Sequence, residues 1–192
     1  MGIFLDISSA YDSVGIDHIR TSLYLHGGDD DLVEWYFHYL GHRVLDIRLH
    51  GGQVRLQNAV GFPQGCVASA MFWLIAFDPA VRIINTRFVE GNAYADDCAV
   101  IFCGPNFSRL VHRLQLVLDE LVEWGRTCGL RFNPDKTVAV VFSRSREEFN
   151  EFVTIEGKPI PYSDTVRYLG VILDKNLSWR PCLLYTSDAA DE

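Results

Sequence analysis

Two adjacent aspartates, Asp96 and Asp97, stand in the stretch Asn92-Ala93-Tyr94-Ala95-Asp96-Asp97-Cys98, directly before the strand-like run Ala99-Val100-Ile101-Phe102. Neighbouring carboxylates in apolar surroundings repel one another. The pair therefore makes physical sense if a divalent cation neutralises it or if it lies in an exposed turn. Asp is a common turn former, so these residues alone leave both readings open. A third acid, Asp6, interrupts the apolar run Ile3-Phe4-Leu5-Asp6-Ile7. Carboxylates brought together from such places could hold hard cations, which prefer oxygen ligands, or could simply be strand-end acids facing water.

The elements that must position these acids are legible in the periodicity. The chain begins almost inside the Ile3 to Ile7 run, which leads us to expect a piece cut from something longer. Asp12 and Ser13 are expected to cap a helix over Ile16 to His26, stopped by Gly27-Gly28. Asp29-Asp30-Asp31 places negative charge at the start of a second helix, Leu32 to Leu40, where the helix dipole favours it. From Arg43 the period changes to two on either side of Gly51-Gly52, which predicts a hairpin. The loop Gly61-Phe62-Pro63-Gln64-Gly65 leads into a buried helix, Cys66 to Asn85, with Pro79 expected to kink it. Phe107, Leu110, Val111, Leu114, Leu118 and Leu121 recur at helical spacing, with Gly129 as the residue past the end. Strand-like Val138 to Phe142 and Val166 to Leu173 complete an α+β pattern, a small antiparallel sheet with helices packed on one face.

Composition bounds the function. A chain of 192 residues with 48% hydrophobic and 12% aromatic residues is long enough and apolar enough for a sizeable core. The longest unbroken apolar run, Ala70 to Phe77, is much shorter than the ~20 residues of a membrane span. There is no secretory leader pattern. Five cysteines without C-x-x-C spacing argue against a disulfide framework and a zinc site, and fit an intracellular protein of nucleus or cytoplasm. The six histidines are read as scattered, with none at i, i+4 spacing from another in a recognisable ligand pattern, and each is given a structural or surface role. The formal net charge of −8 counts against a nucleic-acid footprint. That objection weakens if the acids gather at a metal site and the basic contacts lie elsewhere on a longer protein.

Taken in order, Phe4-Leu5-Asp6-Ile7-Ser8-Ser9-Ala10-Tyr11-Asp12, Gly61-Phe62-Pro63-Gln64-Gly65 and Tyr94-Ala95-Asp96-Asp97 resemble motifs A, B and C of reverse transcriptases. Gly129 to Thr137 resembles motif D, and Tyr168-Leu169-Gly170-Val171 resembles motif E. The wording is closest to the enzymes of non-LTR (LINE-type) retrotransposons, and the resemblance covers residues 3 to 181. Two departures stand out. Ser9 occupies a place where the family often has Lys, and motif B continues Cys66-Val67-Ala68-Ser69-Ala70 where Ser or Gly followed by Leu-Ser-Pro is commoner.

The resemblance implies a polymerase palm with most of the fingers and the thumb missing. Residues 1–176 would be palm with part of the fingers, and 177–181 the start of the thumb connection. It implies two Mg²⁺ ions, with Mn²⁺ as an alternative, held by Asp6, Asp96, Asp97 and the carbonyl of Ile7. Asp6, Asp96, Asp97 and Lys136 would be catalytic, Lys136 serving the departing pyrophosphate. Ser9, Ala10, Tyr11 and Gln64 would meet the incoming nucleotide, the Tyr11 ring excluding a 2′-hydroxyl. Tyr168, Leu169 and Gly170 would grip the primer. The implied partners are an RNA template, a DNA primer and dNTP, without a membrane, in a parent protein carrying fingers, thumb and an endonuclease domain.

Two rivals stay in view: an RNA-dependent RNA polymerase palm, and a palm-like scaffold that binds nucleic acid or protein without catalysis. Residues 182–192 are expected to be foreign, because they resemble the in-frame translation of the adaptor used in transposase-made sequencing libraries. Removing their three acids changes the formal charge from −8 to −5.

Overall fold

The structure is a computed structural model that describes residues 1–58, 60–86, 90–143 and 150–181. The suspected adaptor translation, residues 182–192, lies outside the described residues. The first half of the chain runs β1 (Gly2–Leu5), β2 (Ile7–Ser8), α1 (Ala10–Ser13), α2 (Ile16–Leu25), α3 (Asp30–Gly41), β3 (Arg43–Leu49), β4 (Gly52–Asn58) and α4 (Val67–Thr86). The second half runs β5 (Glu90–Tyr94), β6 (Asp97–Ile101), α5 (Phe107–Cys128), β7 (Arg131–Phe132), β8 (Val138–Val140), β9 (Thr154–Ile155), β10 (Lys158–Pro159), β11 (Thr165–Tyr168) and β12 (Val171–Asp174). Two compact units emerge. One comprises Met1–Ile7, Ala80–Trp124 and the chain from Phe132 on, and the other comprises Ser8–Pro79 and Gly125–Arg131.

The first unit is built on a four-stranded sheet of order β5-β6-β1-β8, antiparallel at every step. Opposite residues share a face, so the register sorts the side chains. Ile3, Val100 and Ala139 align on one face and are fully buried. On that face α4 approaches so closely at Gly91 that a Cβ there would lie 2.0 Å from Ile84 Cγ2. Phe4, Ala99 and Val138 align on the other face, where Val166, Tyr168 and Leu173 of the β11–β12 hairpin cover them. Burying each large side chain of this kind contributes about 1.5–3 kcal/mol.

That hairpin corrects one expectation. Val166 to Leu173 reads as a single strand, yet the chain reverses at Leu169 and Gly170, which adopt φ 49° and φ 81°, and β11 pairs with β12 from Tyr168↔Val171 outward. Two consecutive left-handed residues make the turn type that suits a tight antiparallel hairpin. Leu169 hid it, because a bulky residue is not a turn signal.

In the second unit the expected helices form with shifted caps. Asp29 caps α3 through its side chain, which accepts from the N–H groups of Asp31 (3.1 Å) and Leu32 (3.3 Å). Asp12 and Ser13 do not cap α2. They belong to α1, and Gly15 takes the cap position without a side-chain bond. Gly15 instead donates its N–H to the carbonyl of Cys128 at 2.9 Å. The β3–β4 hairpin pairs from Arg43↔Asn58 to Leu49↔Gly52, as its alternation predicts. Past the end of α5, Gly129 takes φ 85° and the N–H of Leu130 closes onto the carbonyl of Gly125 at 2.8 Å, the expected glycine-terminated helix end.

By length and composition α4 could cross a bilayer, which the longest-run argument missed because polar residues interrupt it. One stripe of it is buried, formed by Phe72, Trp73, Ala76, Phe77, Ala80 and Ile84, while Val67, Met71 and Leu74 are exposed. The helix continues through Pro79.

Candidate active site

Asp6, Asp96 and Asp97 reach one end of the four-stranded sheet. Leu5 and Cys98 are paired across β1 and β6, so Asp6 and Asp97 are the next residues outward on the two strands. Tyr94 pairs with Asp97 across β5 and β6, leaving Ala95 and Asp96 as a two-residue loop. Ala95 takes φ 54°, a left-handed conformation that costs a non-glycine residue about 1–2 kcal/mol. Asp96 and Asp97 are exposed and Asp6 is partly buried. The acid pair therefore sits in an exposed turn and beside a third acid at once. Of the two readings left open by the sequence, the exposed turn is the one seen here.

The electrostatics follow from that crowding. The Asp97 carboxyl is pushed above the usual carboxylate range, first by partial burial and then by the negative charges of Asp96 and Asp6. A cleft of ≈ 300 Å³ opens here, lined by Asp6, Asp97, Lys136, Thr165, Arg167 and Tyr168 among others. Lys136 comes from a loop that local bonds hold rigid. The side chain of Asn133 accepts the N–H of Asp135 at 3.0 Å, and the Thr137 hydroxyl donates to the Asn133 carbonyl at 2.7 Å. Asp135 itself pairs with Lys158.

The same loop grips Asp6. The Asp6 N–H donates to Thr137 Oγ1 at 3.3 Å, and the Asn133 N–H donates to the Asp6 carbonyl at 2.8 Å. Tyr168 sits with its ring 5.3 Å from that of Phe4, and its hydroxyl lies 3.5 Å from the Asn92 carbonyl, to which it donates. Its phenol is pushed up by burial, then by Cys98 and Asp97. Leu169 and Gly170 form the β11–β12 turn described above.

The remaining predicted residues lie together in the second unit. Ser9 is exposed with φ 49° at the start of α1, and Ala10 is buried, so its methyl is packed inside. Tyr11 is partly buried and stacks on Trp73 at 5.1 Å with 20° between the rings. Phe62 meets it edge-on at 6.1 Å. The Gly-Phe-Pro-Gln-Gly loop docks on this segment: the N–H groups of Gly61 and Phe62 donate to the carbonyls of Val14 (2.8 Å) and Tyr11 (2.6 Å). Gln64 is exposed, and its amide donates to the Asp12 carboxylate at 3.1 Å. Ile7 is buried.

Among the described residues no three His, Cys, Asp or Glu side chains close into a ready coordination shell. The donors at the sheet end nevertheless suit a hard divalent cation in kind. They are carboxylate oxygens, with Asp97 pushed up by burial and then by the charges of Asp96 and Asp6, and a cation would relieve that mutual repulsion. Sequence reasoning missed Thr137 and Arg167. The Asn-Pro-Asp turn is visible in the sequence, but the bond from Thr137 across to Asp6 is not, and Arg167 reads as one more exposed strand residue.

A four-stranded antiparallel sheet that sets a hairpin acid pair beside a strand-end acid, with a two-stranded ribbon over its other face, is a polymerase palm. Residues 1–173 match the family described as reverse transcriptase (RNA-dependent DNA polymerase), and the chain belongs to that family. It is 27% identical over 188 residues to the RNA-directed DNA polymerase from the mobile element jockey of Drosophila melanogaster, covering 93% of this chain and 20% of that protein. It is 29% identical over 186 residues to the probable RNA-directed DNA polymerase from transposon X-element of the same organism, covering 92% and 20%. Among solved structures, apo telomerase from Candida tropicalis truncated from its C-terminal domain shares the fold at TM-score 0.61 and 14% identity, over 90% of this chain and 33% of that one. The chain spans about a fifth of the length of the curated relatives it matches. Members of the family generally use divalent metal ions.

Proposed function

We propose that this chain is the palm segment of an RNA-directed DNA polymerase from a non-LTR retrotransposon, which adds dNTP to a primer 3′-hydroxyl on an RNA template. The observation that carries the reading is the gathering of Asp6, Asp96 and Asp97 at one sheet end. Asp6 and Asp96 are the carboxylates that would hold two Mg²⁺ ions, or Mn²⁺, assisted by Asp97 and the Ile7 carbonyl. When bound, the ions supply activation of the attacking hydroxyl and neutralisation of the triphosphate.

The chain's own groups do the rest. Lys136, which lines the cleft, would protonate the departing pyrophosphate or hold it electrostatically. Tyr168, Leu169 and Gly170 steady the primer strand. Ser9, Ala10, Tyr11 and Gln64 would contact the incoming nucleotide, Ala10 through its backbone, and the Tyr11 ring, which stacks on Trp73, would exclude a 2′-hydroxyl. Fingers, thumb and endonuclease belong to the longer parent, so the 192-residue chain alone has little activity.

Primer extension by the full-length parent on an RNA template tests this. Asp97→Asn and Asp96→Ala abolish extension with dNTP and leave template binding near wild type, because metal ligands organise chemistry while other surfaces hold the nucleic acid. Extension at wild-type rates in either variant sinks the assignment. Extension with NTP in preference to dNTP selects the RNA polymerase reading, and binding without any extension by the wild type selects the scaffold.

A further inference from the structure

The expectation that no two histidines stand at i, i+4 spacing is wrong: His38 and His42 are four residues apart. His38 lies in the last turn of α3 and His42 is its C-cap residue, four residues apart and therefore on one helix face. Both are exposed, and their ring centres are 5.7 Å apart. We propose that His38 and His42 form a chelating site for a borderline divalent transition-metal ion, Zn²⁺ or its neighbours Ni²⁺ and Cu²⁺. This site is separate in chemistry from the carboxylate cleft.

Three observations carry it. A Zn–N bond of about 2.0–2.1 Å places each ring centre about 3 Å from a shared ion, so rings 5.7 Å apart fall within the span of one ion. Next, Nδ1 of His42 lies 2.8 Å from the His38 carbonyl, and a carbonyl only accepts, so Nδ1 carries the proton. The lone pair of His42 then resides on Nε2. This is the arrangement by which a metal-binding imidazole is usually oriented, one ring nitrogen donating to a carbonyl while the other takes the ion. Finally, the His38 carbonyl also accepts the His42 N–H at 3.1 Å, so the cap residue stays bonded to the last turn of the helix and the two rings share one scaffold.

The ligand class follows from the donors. Two imidazoles suit Zn²⁺, Ni²⁺ and Cu²⁺, whereas Mg²⁺ prefers oxygen. The neighbouring Glu34 is occupied by Arg20 and by the Tyr24 hydroxyl. No third His, Cys, Asp or Glu joins the pair among the described residues, so water completes the shell. The sequence between them, Tyr39-Leu40-Gly41, lacks the glutamate of a zinc-peptidase helix, which makes this a binding site without hydrolytic chemistry.

Calorimetric titration of the 192-residue chain with ZnCl₂, with MgCl₂ as the comparison, tests the proposal. Zinc binds at one ion per chain and magnesium does not compete for it. His38→Ala and His42→Ala each weaken zinc binding by at least about tenfold, the scale on which even supporting residues of metal sites act. His112→Ala and Cys103→Ser leave it unchanged. Both histidines are exposed, so the variants keep the fold, and circular dichroism checks this. Independently, Cu²⁺ bound to the wild-type chain gives an electron-spin-resonance signature of two imidazoles. Unchanged zinc affinity in His42→Ala overturns the site, as does a single imidazole or a thiolate in the copper spectrum.

Discussion

The backbone N–H of Asn133 donates to the carbonyl of Asp6 at 2.8 Å, tying the loop that carries Lys136 to the strand end that carries the proposed metal-binding carboxylate of Asp6. The tie is completed by Thr137, which is fully buried and whose hydroxyl accepts from the Asp6 N–H while donating to the Asn133 carbonyl. Thr137→Val keeps the volume and removes both bonds. It leaves the Asp6 N–H without its partner, a loss worth about 1–3 kcal/mol. Urea denaturation should show a lower midpoint with an unchanged slope. In the full-length parent kcat should fall as well, because Asp6 loses its anchor. Unaltered stability would mean that water takes over both bonds.

The loop Gly61-Phe62-Pro63-Gln64-Gly65 owes its position to one glycine. Gly61 has φ 72°, and a Cβ there would lie 2.3 Å from the carbonyl oxygen of Tyr11 and 2.6 Å from Asp12 Cα. Both neighbours are backbone and cannot step aside cheaply. Gly61→Ala therefore combines a left-handed penalty of about 1–2 kcal/mol with the displacement of the loop from Tyr11. The expected result is a loss of stability beyond that penalty, read from thermal unfolding, while Gly65→Ala costs only the conformational part because nothing lies within 4 Å of its Cβ position. Equal losses in the two variants would show that backbone conformation alone governs the loop.

These two sites also show what the sequence could and could not convey. The alternation of Arg43 to Asn58 and the apolar spacing of Phe107 to Cys128 report burial on one face, a local property, and the hairpin and helix follow directly from it. The acids of the candidate site were legible because Asp6 stands within an apolar strand and Asp96-Asp97 beside one. The long-range partners were not. Nothing near Thr137 announces that its hydroxyl meets Asp6, since that bond depends on how β1 and the loop before β8 are brought together. The turn at Leu169 was hidden for another reason. Its backbone takes a conformation that its side chain disfavours, so propensity pointed to a continuous strand. The spacing of His38 and His42 was there to be read, but the helix expected over Leu32 to Leu40 stopped short of His42, which the structure makes the C-cap bonded to His38.

Asp174 gives the fold a sensitivity to acid. The residue is buried, and its carboxylate accepts from the N–H groups of Ser178 at 2.6 Å and Asn176 at 3.2 Å. Burial by itself would push this carboxyl up. The N–H and hydroxyl of Ser178 together with the Asn176 N–H outweigh it and hold the group below the ordinary carboxylate range. A carboxyl depressed in the folded state contributes stability above its unfolded value, and that contribution is lost as pH falls through the folded value. Asp174→Ala should therefore be less stable than wild type at neutral pH, with the difference shrinking as the solution is acidified below the normal carboxylate range. A difference that stays constant down to strongly acidic pH would show that packing, not charge, gives Asp174 its effect.

The turn at Leu169 separates stability from function most cleanly. Leu169 holds φ 49° and Gly170 φ 81°, so the β11–β12 hairpin uses a two-residue left-handed turn with a leucine in a place that favours Asn or Gly. Its side chain is 48% exposed, so replacing it forfeits little burial. Leu169→Asn relieves most of the backbone penalty and should stabilise the chain by about 1 kcal/mol, a rise of a few degrees in melting temperature for a domain of this size. If Leu169 contacts the primer as proposed, the same substitution in the full-length parent should raise KM for primer-template while leaving the stability gain intact. Retaining a leucine against its own backbone preference then reflects a contact made outside the fold. A variant that gains stability with no change in primer binding would remove Leu169 from the primer grip, and one that loses stability would show that the exposed side chain packs in a way its accessibility hides.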